Sequence, residues 1–221
     1  KALMCAWDEV GLDTEMLAME DLVQMVHQVV LPDLSTQKVD LALLQHSSGS
    51  TGAQKGVALS HRAILNQIGS YAAALELRTD DKIVSWLPLY HDMGLIACFI
   101  LPLICGVPVV QMSPFDWIKD PALMLEAVHR FKATLCWVPN FALNFCANKI
   151  SDARLVGIDL SSLRALINCS EPMSAASHEL FAQRFAQYGF RASALATCYA
   201  LAENTFAATQ GGVGEPVRID E

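Results

Sequence analysis

Charge is scarce in this chain. Asp, Glu, Lys and Arg make up 17% of its 221 residues, against 53% hydrophobic residues. Cations are scarcer still, with 15 Lys and Arg to 23 Asp and Glu and a net charge of −8. So little charge beside so much apolar surface excludes a disordered chain and supports a large buried core. The shortage of cations argues against nucleic acid as a partner, because phosphate backbones are held by clustered Lys and Arg. Runs of like charge, low-complexity tracts and repeats of fixed period are missing too.

There is no Cys-x-x-Cys pair. The seven cysteines, at 5, 98, 105, 136, 146, 169 and 198, lie in apolar surroundings such as Ala97-Cys98-Phe99, and the six histidines are scattered. That pattern argues against a zinc site and reads as free thiols in a reducing, cytoplasmic compartment. A clean membrane span is lacking as well. Residues 93–110 are uncharged and about as long as a span needs. Pro102 and Gly106-Val107-Pro108 divide them into a helix and a strand. The sequence opens on Lys1 without Met or a signal-peptide pattern and stops at Glu221, so it is expected to be a fragment of a longer protein.

What is present begins at Leu41. Residues 41–45 read as a short buried strand. The stretch Ser47-Ser48-Gly49-Ser50-Thr51-Gly52-Ala53-Gln54-Lys55-Gly56 then gathers four hydroxyls, three glycines and one lysine. Glycine lets backbone N–H groups approach an anion, hydroxyls add donors, and lysine brings a mobile positive charge. The plain reading is a phosphate-binding loop. A flexible Gly/Ser linker is the weaker reading, since linkers rarely follow an apolar strand or carry one isolated lysine. Spacing excludes three common loops. The P-loop needs Gly before the lysine and Ser or Thr after it, where Gln54 and Gly56 stand. No G-x-G-x-x-G occurs, and G-x-S-x-G would need glycine in place of Ser48.

Downstream, apolar strands alternate with helices. Strands are expected at 56–59, 82–86, 107–111, 134–138, 163–168 and 194–199, and helices at 60–75, 92–104, 120–131, 140–149 and 174–188. Ser60 and Ser174 are expected N-caps, Pro121 a first-turn residue and Gly189 a stop. Residues 14–30 read loosely as a further helix bounded by Pro32. The alternation predicts an α/β fold: a mostly parallel sheet with helices on both faces and ligands at the carboxyl ends of its strands.

Further segments fall at those strand ends. In Leu87-Pro88-Leu89-Tyr90-His91-Asp92-Met93-Gly94-Leu95, His91 and Asp92 taken alone make a helix-start pair with Asp92 as N-cap. Cys136-Trp137-Val138-Pro139-Asn140-Phe141 suits core as well as pocket lining. Asn168-Cys169-Ser170-Glu171-Pro172-Met173 is, alone, an ordinary strand–turn–helix connection. Tyr199-Ala200-Leu201-Ala202-Glu203 offers a flat face for a base and a hard oxygen for Mg²⁺, although Glu203 alone is as readily a solvated carboxylate.

In this order, the loop and the segments at 85–96, 168–173 and 197–204 resemble the adenylate-forming enzymes: acyl-CoA synthetases, peptide-synthetase adenylation domains and luciferases. The 87–95 segment is most similar to fatty acyl-AMP ligases and related fatty acyl-CoA ligases. The resemblance covers roughly 41–206. It implies that 1–40 is an incomplete lead-in and 41–221 the core of an AMP-binding N-terminal domain. The mobile C-terminal domain, with its lysine, would lie beyond Glu221.

The resemblance also implies roles. Ser47, Ser48, Gly49, Ser50, Thr51, Gly52 and Lys55 would hold the pyrophosphate of ATP, and Glu203 would hold Mg²⁺. Tyr199, Ser170 and Glu171 would hold adenine. His91 would meet the substrate carboxylate, with Met93, Gly94, Trp137 and Cys169 along the acyl pocket. His91, Lys55 and Glu203 are the expected catalytic set. A fatty or other acyl carboxylate would attack the α-phosphate of ATP, giving acyl-AMP and pyrophosphate. The acyl group would pass to the phosphopantetheine thiol of an acyl carrier protein or, alternatively, to CoA. The carboxylate is itself the nucleophile, so alignment and charge neutralisation are what the protein supplies. A reading of another class is a non-catalytic nucleotide- or acyl-binding fragment. This sequence departs from the family at Gln54 for proline, His46 for tyrosine, Cys169 and Ala200 for glycine, and Ser170 for alanine.

Overall fold

The computed structural model describes residues 40–47 and 55–219. The helix expected at 14–30 and the loop residues Ser48, Gly49, Ser50, Thr51 and Gly52 lie outside them. Strands β1 (Leu41–Ser47) and β2 (Lys55–Ser60) form an antiparallel pair, with Ser47 opposite Lys55. β1 is not the buried strand expected at 41–45: Leu41 is 56% and Leu44 63% exposed, while Gln45 is buried. A two-stranded ribbon is covered on one face at most, whereas the apolar run suits a strand covered on both.

The expected α/β class holds in the second sheet. Strands β3 (Ile83–Ser85), β4 (Val109–Gln111), β5 (Leu135–Val138), β6 (Ala165–Cys169), β7 (Leu195–Ala200) and β8 (Ala207–Gln210) lie in the order β4-β3-β5-β6-β7-β8. All are parallel except β8. β5 and β6 are buried along their whole length, as parallel strands between two helical layers must be.

Register sorts the side chains. Leu135, Trp137, Ile167, Cys169 and Cys198 share one face. Helix α1 (His61–Ala74) covers that face, where Trp137 Nε1 donates to Tyr71 Oη at 2.7 Å. So does a π-helix, Met93–Ile100, running into α2 (Leu101–Cys105); Cys98 of the π-helix bonds Ser85. The other face meets α3 (Pro114–Lys119), α4 (Ala122–Phe131), α5 (Asn140–Lys149) and α6 (Ala175–Phe185). There Cys136 Sγ lies 3.7 Å from Met124 Sδ, and Trp117 stacks on Trp86 at 3.7 Å.

Local signals were met unevenly. Ser60 caps α1 through the Ala63 N–H (3.2 Å), and Gly189 closes the turn after α6 at φ +82°. Ser174 makes no side-chain cap; its backbone N–H donates to Asn140 Oδ1. The helix expected at 92–104 winds as a π-helix over its first eight residues. At the amino ends of the strands, Asp81 accepts from Arg164 Nε (2.7 Å) and Thr134 Oγ1 (2.6 Å), tying together the starts of β3, β5 and β6.

Connections leave β3 toward β4 on one side and β5 toward β6 on the other. The crevice between the carboxyl ends of β3 and β5 is therefore the switch point, where open α/β sheets bind ligands.

Candidate active site

His91 follows β3 at that crevice. The π-helix behind it packs hard against the preceding turn, and a Cβ on Gly94 would stand 2.3 Å from Pro88 O. Asp92 Oδ1 accepts the Met93 N–H at 2.7 Å, capping the π-helix, and lies 2.7 Å from His91 Nδ1. The Met93 N–H is farther from His91 Nδ1, at 3.3 Å, so the carboxylate takes it and Nδ1 keeps its proton toward Asp92. The hydrogen bond to Asp92 raises the His91 pKa above its ordinary value, against the opposing effect of burial. Protonation then turns Nε2 from an acceptor into a charged donor.

Across the crevice, β6 ends at Cys169, in register with Cys198 of β7. Hydrogen bonding to Cys169 and burial push the Cys198 thiol far above its usual range. Ser170 sits at φ +72°, with Oγ 3.5 Å from Cys169 Sγ and 4.0 Å from Met93 Sδ. Two motifs 77 residues apart thus touch. Glu171 turns elsewhere: its Oε2 accepts the Phe141 N–H at 2.9 Å, a carboxylate on the first turn of α5.

The structure brings together His91, Met93, Gly94, Cys169 and Ser170. Trp137 lies deeper, fully buried, its indole committed to Tyr71. Tyr199 projects from the opposite face of β7 to Cys198 and is 58% exposed. Glu203 is exposed on the 3-10 turn Ala202–Asn204, which Asn204 Nδ2 anchors to Ala207 O (2.6 Å) and Gln67 Oε1 (3.1 Å). Among the described residues no three His, Cys, Asp or Glu side chains converge on a metal position. A single exposed carboxylate still fits Mg²⁺, which is commonly held by one or two carboxylates plus substrate phosphates. Lys55 and Ser47 end the two hairpin strands as facing partners.

Residues 7–220 match the family described as AMP-binding enzyme. The chain belongs to that family. Over 188 residues it is 34% identical to the medium-chain-fatty-acid–[acyl-carrier-protein] ligase JamA of Moorena producens, covering 85% of this chain and 31% of that protein. It is 32% identical over 208 residues to the long-chain-fatty-acid–AMP ligase FadD26 of Mycobacterium bovis, covering 90% and 36% respectively. A fatty acyl-adenylate ligase from Legionella pneumophila, solved with acyl adenylate and pyrophosphate, superposes with a TM-score of 0.79 at 38% identity, over 82% of this chain and 32% of that one. The chain spans about a third of the length of the curated relatives it matches.

In this AMP-binding chain the sequence pointed past two features. A cavity of about 550 Å³ lies beyond Met173 and Ser174, bordered by His178 of α6, Thr197 of β7 and residues 216–219. Thr197 lies two residues before Tyr199 and so shares its face of β7; that spacing was the available signal. Asn140, hydrogen-bonded to both Asn168 and Ser174, lies in the 136–141 segment, but nothing in the sequence marks those partners.

Proposed function

We propose that this chain is the core of a ligase that joins a fatty acyl carboxylate to ATP, forming acyl-AMP and releasing pyrophosphate, and then passes the acyl group to a carrier-protein phosphopantetheine thiol. One observation carries the reading. The His91–Met93 segment, suited to the carboxylate, and the Cys169–Glu171 segment, suited to the nucleotide, meet through Met93 and Ser170 at the switch-point crevice. A reaction between a carboxylate and an α-phosphate needs its two partners so aligned. Relatives named as fatty-acid–AMP and acyl-carrier-protein ligases support the substrate class and favour a carrier protein over CoA as acceptor.

Protonated His91, held by Asp92, would pair with and orient the substrate carboxylate. Lys55 and the hydroxyls and N–H groups of Ser47, Ser48, Gly49, Ser50, Thr51 and Gly52 would neutralise the departing pyrophosphate. Glu203 would hold Mg²⁺, which supplies further charge neutralisation on the phosphates. Tyr199 would stack on adenine beside Ser170 and Glu171. The deeply buried Cys98, Cys136 and Cys146 play no nucleophilic part, consistent with burial pushing their thiols up, to about 12 for Cys98 and Cys146. Incubating the full-length protein with ATP and a fatty acid should yield acyl-AMP by mass spectrometry and AMP as the nucleotide product on acceptor addition. ADP as product would sink the reading.

A further inference from the structure

We infer that Asn140 is a positioning residue for the nucleotide: it holds the turn 168–174 in the shape that receives the adenine end. The inference rests on the function proposed above. Asn140 opens α5 immediately after β5, at the carboxyl edge that borders the crevice. Its Oδ1 accepts from Asn168 Nδ2 (3.0 Å) and from the Ser174 N–H (3.1 Å), and its Nδ2 donates to Ser177 Oγ (3.2 Å). One amide therefore grips the residue that starts the turn, the residue that ends it, and the first turn of α6. The next residue, Phe141, binds Glu171 through its N–H. Three points of a seven-residue turn are fixed to two residues of one helix.

The direction of each bond is forced. A backbone N–H can only donate, so the Asn140 atom facing Ser174 is Oδ1. Asn168 must then present Nδ2 to that oxygen, and the same amide group lies 2.9 Å from His178 Nε2, which accepts as a neutral ring. Burial lowers the His178 pKa, which keeps it neutral. Asn168 Oδ1 is left buried without a partner. Ser170, lacking glycine's freedom, sits at φ +72° between the fixed points. Both features are destabilising and persist where the surroundings over-determine them. Asn140 is the group that does so.

The test compares Asn140→Ala and Asn140→Asp with the wild type at full length. Aspartate keeps the oxygen that accepts both N–H groups; alanine removes it. In fatty-acid-dependent pyrophosphate exchange, Asn140→Ala is expected to raise the KM for ATP roughly tenfold while the fatty-acid KM stays within about twofold. Asn140→Asp should recover most of that loss. Hydrogen exchange at the Ser174 amide, read without any ligand, should rise roughly tenfold in Asn140→Ala and not in Asn140→Asp. An alanine variant with wild-type ATP KM and wild-type Ser174 protection overturns the inference. So does a parallel change in both KM values and Tm that aspartate fails to correct. A wild type that forms no acyl-AMP ends the ligase reading instead, and Ser174 exchange still decides whether Asn140 holds the turn.

Discussion

His91 carries the proton that a carboxylate substrate would feel most directly. Its folded pKa is raised by Asp92, so the charged form is complete below the ordinary histidine value and is lost as pH rises through the raised one. The fatty-acid KM should therefore be lowest on the acid side of that value and climb above it. His91→Ala should flatten the profile and weaken the fatty acid about tenfold or more, the size of a charge-assisted hydrogen bond. An unchanged KM profile in the variant would remove His91 from the carboxylate site. Asp81 runs the opposite way. Burial alone would raise its pKa, but hydrogen bonds from Arg164, Thr134 and the Arg78 N–H, with the Arg164 charge, hold it below the usual carboxylate value. Its contribution to stability is present above that usual value and lost as pH falls through the lowered one. Asp81 is 1% exposed, so Asp81→Asn should destabilise by about 3–5 kcal/mol at neutral pH. In urea unfolding, the gap to wild type should narrow toward pH 3; a gap independent of pH would contradict the paired carboxylate.

The π-helix Met93–Ile100 is the element on which the crevice depends, because it delivers Asp92 and Met93 to the site. Gly94 permits its close approach, since a Cβ would meet backbone at Pro88 O rather than a side chain that could swing away. Gly94→Ala should destabilise by about 1–3 kcal/mol, the range for overpacking. It should also displace His91, seen as a weaker fatty acid in the same assays. A variant with wild-type Tm and KM would show that the turn simply yields. Elements of this kind are unevenly legible. β5 and β6 stood out because strands covered on both faces are continuous apolar runs. The π-winding did not, because residues 93–100 are apolar with no period to betray their pitch. α3 and β8 leave no such mark: the first is six residues and the second four, too short for periodicity to show. Ser174 carries a capping side chain in sequence, yet its hydroxyl makes no cap, while its backbone N–H donates to Asn140 from 34 residues away.

Across the whole molecule, the motifs that could be read in order along the chain gather at the carboxyl ends of β3, β6 and β7, while Ser47 and Lys55 face each other in a separate two-stranded sheet. What sequence could not supply were the contacts that shape the turn between them: Glu171 capping α5 from 30 residues away and Asn168 held by Asn140 from 28. Long-range hydrogen bonds leave no local pattern. Among the described residues no helix is long and apolar enough to cross a membrane, which agrees with reading 93–110 as a helix and a strand. The most direct test of acyl-adenylate formation is exchange of labelled pyrophosphate into ATP by the full-length protein, with Lys55→Ala beside it. Exchange should require a fatty acid and fall by about tenfold or more when the lysine charge is removed. No exchange with any carboxylate, from a folded protein that binds ATP, would contradict the ligase assignment.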